Sequence, residues 1–449
     1  MSRSIMWFRR DLRLIDNPAL LAAIDSADEI VPVFILDPKL IEITGAKGLA
    51  YLSASLKSLD ESLGSKLSVC EGDPVDVLKN LIKKHGATSV HISAEYDAYA
   101  VARDARVEAA GIELTRTGSP YAVAPGRVKK PSDATNYRVY TPFYRAWLAH
   151  GWRAAVAAPK TIKAVTPDPS DRKFPTWQAP EGTDIPVAGE KAAHERFKKF
   201  KANALDSYDE ARNFAGIDGT SKMSPHLTWG EIHPRTLLTG LGESKAHDTF
   251  RKEMAWREFY ADVLFNYPHT DKDYYAPQFA KMRYDEPGKK FTAWCEGKTG
   301  YPFVDAGMRQ LIKEGWMHNR VRMVVASFLA KDLHIEWQHG ALFFEEHLVD
   351  FDIASNAHGW QWTAGCGTDA SPYYRVFNPI EQGKRFDKNG DYIRKYVPEL
   401  AHLSADEIHE PWDSADGYKN SYPKKIVEHS LERIESLARL EEIKVRNAE

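Results

Sequence analysis

The run EIVPVFIL, residues 29–36, is almost entirely apolar and predicts a short buried strand. Similar short apolar runs lie on either side of it, namely SIMWF at 4–8, KLSVCEG at 66–72, SVHISAE at 89–95 and IELTRT at 112–117. Amphipathic segments such as LAYLSASLKSLDESL, 49–63, and DPVDVLKNLIKKHG, 73–86, separate these runs. The alternation predicts a doubly wound, parallel α/β sheet in about the first 120 residues.

The segment after the first predicted strand is RRDLRLIDN, residues 9–17, and it contains no GxGxxG pattern. The glycine turn that lets backbone approach a pyrophosphate is therefore missing, which argues against a nicotinamide-binding domain.

The rest of the chain divides into a connecting segment and a helical part. Residues 158–190 contain six prolines, which cannot donate backbone hydrogen bonds inside a helix or a central strand. Beyond them the apolar spacing is helical throughout. We predict an α/β domain over 1–130, an interdomain linker over 131–190 and an all-α domain over 191–449.

Composition limits the function classes. A formal net charge of −3 neither indicates nor excludes a nucleic-acid partner, because a local basic patch is compatible with it. The cysteines Cys70, Cys295 and Cys366 form no CxxC pair, and the histidines lack ligand spacing, so we expect neither disulfides nor a metal site. No apolar run is long enough to span a bilayer, and we expect a cytoplasmic protein.

Two groups of polar residues indicate an anionic ligand or ordinary structural roles. In IDGTSKMSPHLTWGEI, 217–232, Thr220, Ser221 and Ser224 place hydroxyls ahead of a predicted helix, which suits either a phosphate or an N-cap. Asp350 and Asp352 lie close together in LVDFDIAS, and buried carboxylates would require cations such as the arginines at 320 and 322.

Aromatic residues are unusually frequent, with 12 Trp, 20 Tyr and 19 Phe. In NAHGWQWTAGCGTDASPYYRVFNP, 356–379, Trp360 and Trp362 lie among small and polar residues where no regular helix or strand pattern fits. Trp256 follows Glu253 by three residues, so a helix would place a ring and a carboxylate on one face. That pair suits a stacked, hydrogen-bonded base, while core packing is the alternative for any single ring.

Several long motifs resemble the photolyase and cryptochrome flavoproteins, and within them the class I cyclobutane pyrimidine dimer photolyases. They are MWFRRDLRLIDNPAL at 6–20, MSPHLTWGEI at 223–232, AWREFY at 255–260, KTGYPFVDAGMRQL at 298–311, GWMHNRVRM at 315–323 and GWQWTAGCGTDASPYYRVFNP at 359–379. The resemblance implies an N-terminal α/β antenna domain and a C-terminal all-α domain that binds FAD.

The resemblance also implies which residues line the flavin pocket. By matching motif positions these are Tyr208, Thr220, Ser221, Lys222, Met223, Ser224, Arg257, Asn319, Arg322, Asp350, Asp352 and Asn356. Asn356 corresponds to the partner of flavin N5, and an asparagine there resembles the repair enzymes. Phe250 departs from the tryptophan that class I enzymes often carry near the flavin.

The implied activity is that of a deoxyribodipyrimidine photo-lyase. Reduced FAD, excited by blue or near-UV light, donates an electron to a cyclobutane pyrimidine dimer flipped out of single- or double-stranded DNA, and the dimer splits. Glu253 and Asn356 are the implied catalytic residues. The implied substrate and DNA contacts are Glu253, Trp256, Asn319, Arg320, Met323, Trp362 and Lys384. We expect a monomer that needs no metal.

The family also passes electrons to oxidised flavin along three aromatic residues. Matching positions are Trp360, Trp337 and, third, Tyr284, where a tryptophan is usual. Because a phenol loses an electron readily only if its proton also leaves, the last step should differ from the family pattern.

Two alternatives remain open. SAEYDAYAVARDARVE, 93–108, lacks the Asn-Glu pair of folate-binding members, and its Tyr99, Arg103 and Asp104 resemble the deazaflavin-binding pattern. We therefore favour 8-hydroxy-deazaflavin as the antenna chromophore, with methenyltetrahydrofolate or an empty pocket as the alternatives. A cryptochrome-type blue-light photoreceptor that signals through the flavin redox state is the alternative function.

Overall fold

The N-terminal part of the computed structural model is built on one five-stranded parallel sheet. The structure describes residues 1–369 and 374–446, the last two by their backbone alone, so residues 370–373 of the predicted aromatic motif lie outside it. The strands are β1 Arg3–Phe8, β2 Glu29–Leu36, β3 Ser68–Glu71, β4 Ser89–Ile92 and β5 Leu114–Arg116. Their order is β3-β2-β1-β4-β5, which is the predicted doubly wound sheet.

Helices cover both faces of this sheet because successive strand residues point in opposite directions. Met6 and Phe8 of β1 pack with buried residues of α1 and α3, whereas Ile5 and Trp7 pack with those of α4 and α5. The helices of this part are α1 Pro18–Ser26, α2 Pro38–Ile43, α3 Ala46–Ser62, α4 Pro74–His85 and α5 Ala98–Ala109.

The remainder is helical, as predicted. Its α-helices are α6 Tyr140–His150, α7 Glu190–Asn203, α8 Tyr208–Ala211, α9 Ser224–Thr228, α10 Pro234–Leu238, α11 Lys245–Asn266, α12 Lys289–Cys295, α13 Pro302–Glu314, α14 Asn319–Ser327, α15 Trp337–His347, α16 Ile353–Ala364, α17 Pro379–Phe386, α18 Asp391–Tyr396 and α19 His429–Arg446. Short 3₁₀ segments lie at Pro169–Asp171, Leu205–Ser207, Pro268–Asp271, Pro277–Lys281, Pro398–Leu400 and Pro411–Asp413, and a π-helical turn at Phe328–Asp332. No helix among the described residues is long and apolar enough to cross a membrane.

The tryptophan pair lies on a regular helix, which the sequence pattern did not predict. Asp352 caps the N-terminus of α16 by accepting from Ser355 N at 2.9 Å, and Gly365, with φ +93°, ends the helix. Buried residues lie on several sides of α16, among them Ala354, Trp360 and Thr363. A helix buried on several sides has no single apolar stripe, and this is why periodicity failed here.

The predicted linker, 131–190, contains one packed helix and one extended part. Helix α6 packs against α11 through Phe143, whose ring centroid is 5.1 Å from that of Phe259. The extended part runs beside the start of β2, where Ile30 N donates to Lys163 O at 2.8 Å. The segment therefore joins both halves by direct contacts, while its exact boundaries stay a prediction.

Candidate functional site

A cavity of about 510 Å³ opens between α8, α9, α11, α14 and α16 in the helical half. Every residue predicted for the flavin pocket lines this cavity. They are Tyr208, Thr220, Ser221, Lys222, Met223, Ser224, Arg257, Asn319, Arg322, Asp350, Asp352 and Asn356. Phe250 does not line it; its fully buried ring packs edge-to-face behind Tyr208, with centroids 5.4 Å apart.

The hydroxyl-rich loop is fixed from behind by an arginine that sequence reasoning missed. Arg196 of α7 donates from Nε to Ser221 O at 2.9 Å and from Nη2 to Thr220 O at 2.5 Å. Lys222 has φ +53°, a left-handed conformation that is uncommon outside glycine. Ser224 Oγ accepts from Trp316 Nε1 at 3.1 Å. These bonds fix the loop at the cavity wall, where Thr220, Ser221 and Ser224 line the cavity.

The two predicted carboxylates are both paired with arginine, but only one of the two arginines that the sequence suggested takes part. Arg322 donates to Asp350 Oδ2 at 2.7 Å, as expected. Asp352 instead pairs at 2.8 Å with Arg10, which follows β1 in the other half of the molecule. Burial raises the pKa of Asp352, but Arg10 and Arg257 outweigh it and hold that pKa well below its usual range. Arg320, two residues before Arg322 on α14, instead donates from Nη2 to Asn213 Oδ1 at 2.7 Å.

Polar groups at the cavity wall lack partners within the described structure. Asp350 Oδ1 and Arg257 Nη2 are buried without a hydrogen bond, while both residues line the cavity. Asn356 donates from Nδ2 to Ala341 O at 3.0 Å, so its amide oxygen is the group it offers to a ligand. A free acceptor, a free guanidinium donor and a row of hydroxyls fit a ligand that carries both phosphate and heteroaromatic donor groups, as FAD does.

The predicted base-binding residues surround the same cavity. Glu253, Trp256, Asn319, Arg320, Met323 and Trp362 all line it. The Trp256 ring is stacked on Tyr140, with centroids 3.7 Å apart and planes 5° apart, so only its other face is available to a base. Glu253 is held by Arg212 at 2.5 Å. Tyr140 and Arg212 were missed, since neither lies within a motif that resembles the family.

Three arginines gather beside the cavity. The Arg320 guanidinium lies 4.4 Å and that of Arg385 5.1 Å from the centroid of the Phe386 ring. Burial first, and then repulsion from Arg212 and Arg385, lowers the pKa of Arg320. This local positive charge exists despite the acidic net charge. Lys384, by contrast, does not line the cavity; its half-exposed side chain pairs with Glu410.

The predicted electron-transfer residues lead away from the cavity. Trp360 lines it and packs edge-to-face on Phe344 of α15, with centroids 5.0 Å apart. A Cβ on Gly340 would lie 2.2 Å from the Trp360 ring, so only glycine permits this approach. Trp337 lies one turn before Gly340 and is buried. Its ring contacts Tyr274, which sequence reasoning missed, and Tyr284 lies beyond Tyr274.

The predicted antenna residues lie in the N-terminal half. Arg103 and Asp104 are buried and paired with each other at 2.9 Å, and Arg103 also pairs with Glu95 at 2.7 Å. Tyr99 donates to Asp37. Arg103 and Asp104 therefore have partners within the protein, and Tyr99 is the most accessible of the three predicted residues. Within the described ranges, no three metal-ligating side chains come together.

Comparison with known proteins gives full-length matches. The profile described as DNA photolyase matches residues 4–162, and that of the FAD-binding domain of DNA photolyase matches 250–442. A deoxyribodipyrimidine photo-lyase of Agrobacterium fabrum is 40% identical, covering 97% of this chain and 96% of that protein.

Solved structures match equally well over their whole length. A bacterial class III photolyase from Agrobacterium tumefaciens superposes with a TM-score of 0.92 at 38% identity, over 99% of this chain and 98% of that one. An archaeal photolyase from Sulfolobus tokodaii, described with two FAD molecules, gives 0.88 at 28% identity, over 98% and 100%. The Agrobacterium structure is named class III, whereas the motifs of this sequence indicated class I.

Proposed function

Because this chain belongs to the DNA photolyase family, we propose that it is a light-driven DNA repair enzyme acting on cyclobutane pyrimidine dimers. The observation that carries the proposal is the juxtaposition in one cavity of the flavin-type polar groups with Glu253, Trp256 and Trp362. A lesion entering between two aromatic rings would lie beside the cofactor. Bound, reduced FAD would supply the electron that light excites.

Different residues of this chain would bind the cofactor and the flipped bases. Asp350 and Arg257 offer the unpartnered acceptor and donor to the cofactor, and Asn356 offers its amide oxygen. Trp256, supported from behind by Tyr140, and Trp362 bind the flipped bases by stacking, each base contributing about 1–3 kcal/mol. A dimer costs less to flip than an intact pair because its pairing is already damaged.

Glu253 forms hydrogen bonds with the edge of a thymine base. Its partner Arg212 keeps the carboxylate oriented toward the cavity and adds charge near the DNA backbone. Arg320 and Arg385 supply further positive charge for phosphates, with Lys384 in an outer position. The chain would then bind damaged DNA as a monomer through a local basic patch.

The decisive experiment uses purified protein with its flavin reduced and an oligonucleotide carrying a single thymine dimer. Illumination should restore thymine absorbance, and the dark control should not. If illumination leaves the dimer intact while the flavin remains bound and reduced, the repair proposal fails and the cryptochrome-type photoreceptor becomes the better account.

We also propose a second, light-gathering chromophore, with 8-hydroxy-deazaflavin preferred to methenyltetrahydrofolate. The proposal is supported by the archaeal relative described with two FAD molecules and by the accessible Tyr99. Denaturing the protein and identifying the released chromophores by mass spectrometry tests it. Folate, or FAD in twofold amount, would contradict the preferred identity.

A further inference from the structure

Tyr274 stands between the two outer residues predicted for the electron-transfer chain. Its ring meets that of Trp337 edge-on, with centroids 6.3 Å apart and planes at 84°. On its other side it is stacked with Tyr284 at 6.4 Å and 18°. The ring contacts of the described residues include no direct pairing of Trp337 with Tyr284. Among the described residues, Tyr274 is thus a ring that contacts both Trp337 and Tyr284.

The hydroxyl groups of the two tyrosines have different acceptors. Tyr274 Oη donates to Glu336 Oε1 at 2.7 Å. Tyr284 Oη donates to the backbone carbonyl of Phe279 at 3.3 Å. A carboxylate takes up a proton readily, whereas an amide carbonyl does not. Of the two tyrosines, Tyr274 is therefore the one whose hydroxyl donates to a carboxylate.

The position of Glu336 suits this use. It immediately precedes Trp337 at the start of α15, so the ring that would be reduced and the carboxylate are neighbours in the chain. Tyr274 is 4% exposed, and Glu336 is only partly buried. A proton taken up by Glu336 can therefore be released to solvent, while the ring of Tyr274 remains shielded from water.

We propose that Tyr274 is the electron donor that reduces the Trp337 radical, and that Glu336 accepts its phenolic proton in the same step. This assignment rests on the proposed function, since it needs a photo-excited, oxidised flavin to withdraw the first electron through Trp360. Tyr284 then serves as a packing neighbour of Tyr274 or as a later donor, and not as the immediate partner of Trp337.

The step balances. The Trp337 radical cation gains one electron and becomes neutral tryptophan. Tyr274 loses that electron, and its Oη–H bond breaks as the proton moves to Glu336 Oε1, which leaves a neutral phenoxyl radical and a protonated carboxyl group. An added thiol later returns one electron and one proton to the phenoxyl oxygen. No metal or further oxidant is required.

Time-resolved absorption after a laser flash on the flavin-loaded, oxidised protein tests the proposal. Tyr274→Phe keeps the ring but removes the proton and should abolish the tyrosyl signal, leaving a tryptophanyl signal that decays by recombination. Tyr284→Phe, the matched control, should retain the tyrosyl signal. Glu336→Gln keeps an acceptor oxygen but removes the base, and should slow tyrosyl formation by about 10²-fold, the lower range for a positioned base.

Some outcomes would overturn the assignment. A tyrosyl signal that survives in Tyr274→Phe and disappears in Tyr284→Phe would make Tyr284 the donor. Equal rates in wild type and Glu336→Gln would remove the carboxylate from the step. A measurement on protein without substitutions avoids the risk that a variant fails to fold. Incorporation of ring-deuterated tyrosine should narrow the electron paramagnetic resonance spectrum of the radical. An unchanged spectrum would exclude tyrosine as the radical.

The repair proposal can fail independently. Protein reduced chemically before the dimer is added does not need the chain, so Tyr274→Phe should repair as the wild type does. Absence of dimer repair together with a tyrosyl radical would refute the repair function and leave the electron donor in place.

Discussion

Truncating Trp362 should weaken the binding of dimer-containing DNA without affecting undamaged DNA. Trp362 is partly exposed at the cavity, and within the described structure its ring stacks on no other aromatic ring, so one face remains open to a base. A base stacked on an aromatic side chain contributes about 1–3 kcal/mol. Trp362→Ala should therefore raise the Kd for the dimer about 5- to 160-fold.

The assay is fluorescence anisotropy in the dark, with labelled oligonucleotides that differ only in the dimer. Binding of undamaged DNA depends on phosphate contacts with the arginines and should not change. Trp362→Phe is the matched control, because a smaller ring still offers a stacking face and should recover part of the affinity. Flavin absorbance checks that the cavity is intact.

The reasoning would be refuted by a Trp362→Ala protein that holds its flavin and binds the dimer as tightly as wild type. It would also fail if both oligonucleotides lost affinity equally, because the effect would then be on the DNA backbone and not on the flipped bases.

Three further changes follow from the site. Trp360→Phe should block photoreduction of oxidised flavin, read from flavin absorbance, yet spare dimer repair by enzyme reduced beforehand; normal photoreduction would contradict the chain. Asp352→Asn keeps a capping oxygen but breaks the partly buried pair with Arg10, which should cost about 3 kcal/mol of unfolding free energy at pH 7 in urea titrations. Because the folded pKa of Asp352 is lowered, the pair's contribution is present above the ordinary carboxylate pKa of about 3.9 and lost as pH falls below it, so the gap between variant and wild type should shrink in acid. A gap independent of pH would exclude the ion pair as its cause. Lys384→Ala should weaken damaged and undamaged DNA equally and reduce the salt slope by about one, whereas selective loss of dimer binding would place Lys384 in the site.

Local patterns predicted the sheet because its longer strands are short apolar runs buried on both faces, as in Ile5–Phe8. The residues of the cavity wall were predicted from the family resemblance, and the motifs at 223–232, 255–260, 315–323 and 359–379 each supply part of that wall. The contributions of Arg10, Arg196 and Tyr140 were not predictable, because each reaches the site from a distant element. Arg10 carried one indication, its position directly after a strand of a parallel sheet, where ligand-binding residues commonly lie.

The different roles proposed for Trp360 and Trp362, which are separated by a single residue, are consistent with their positions on one helix. Each residue turns an α-helix by about 100°, so Trp360 and Trp362 point in nearly opposite directions. Trp360 is 3% exposed and packs against α15 at Gly340, next to the start of the electron-transfer chain. Trp362 faces outward, where a base can reach it. The proposed roles of the two rings, in cofactor reduction and in lesion binding, would thus lie on opposite sides of α16, and substitutions on either side should separate the two activities.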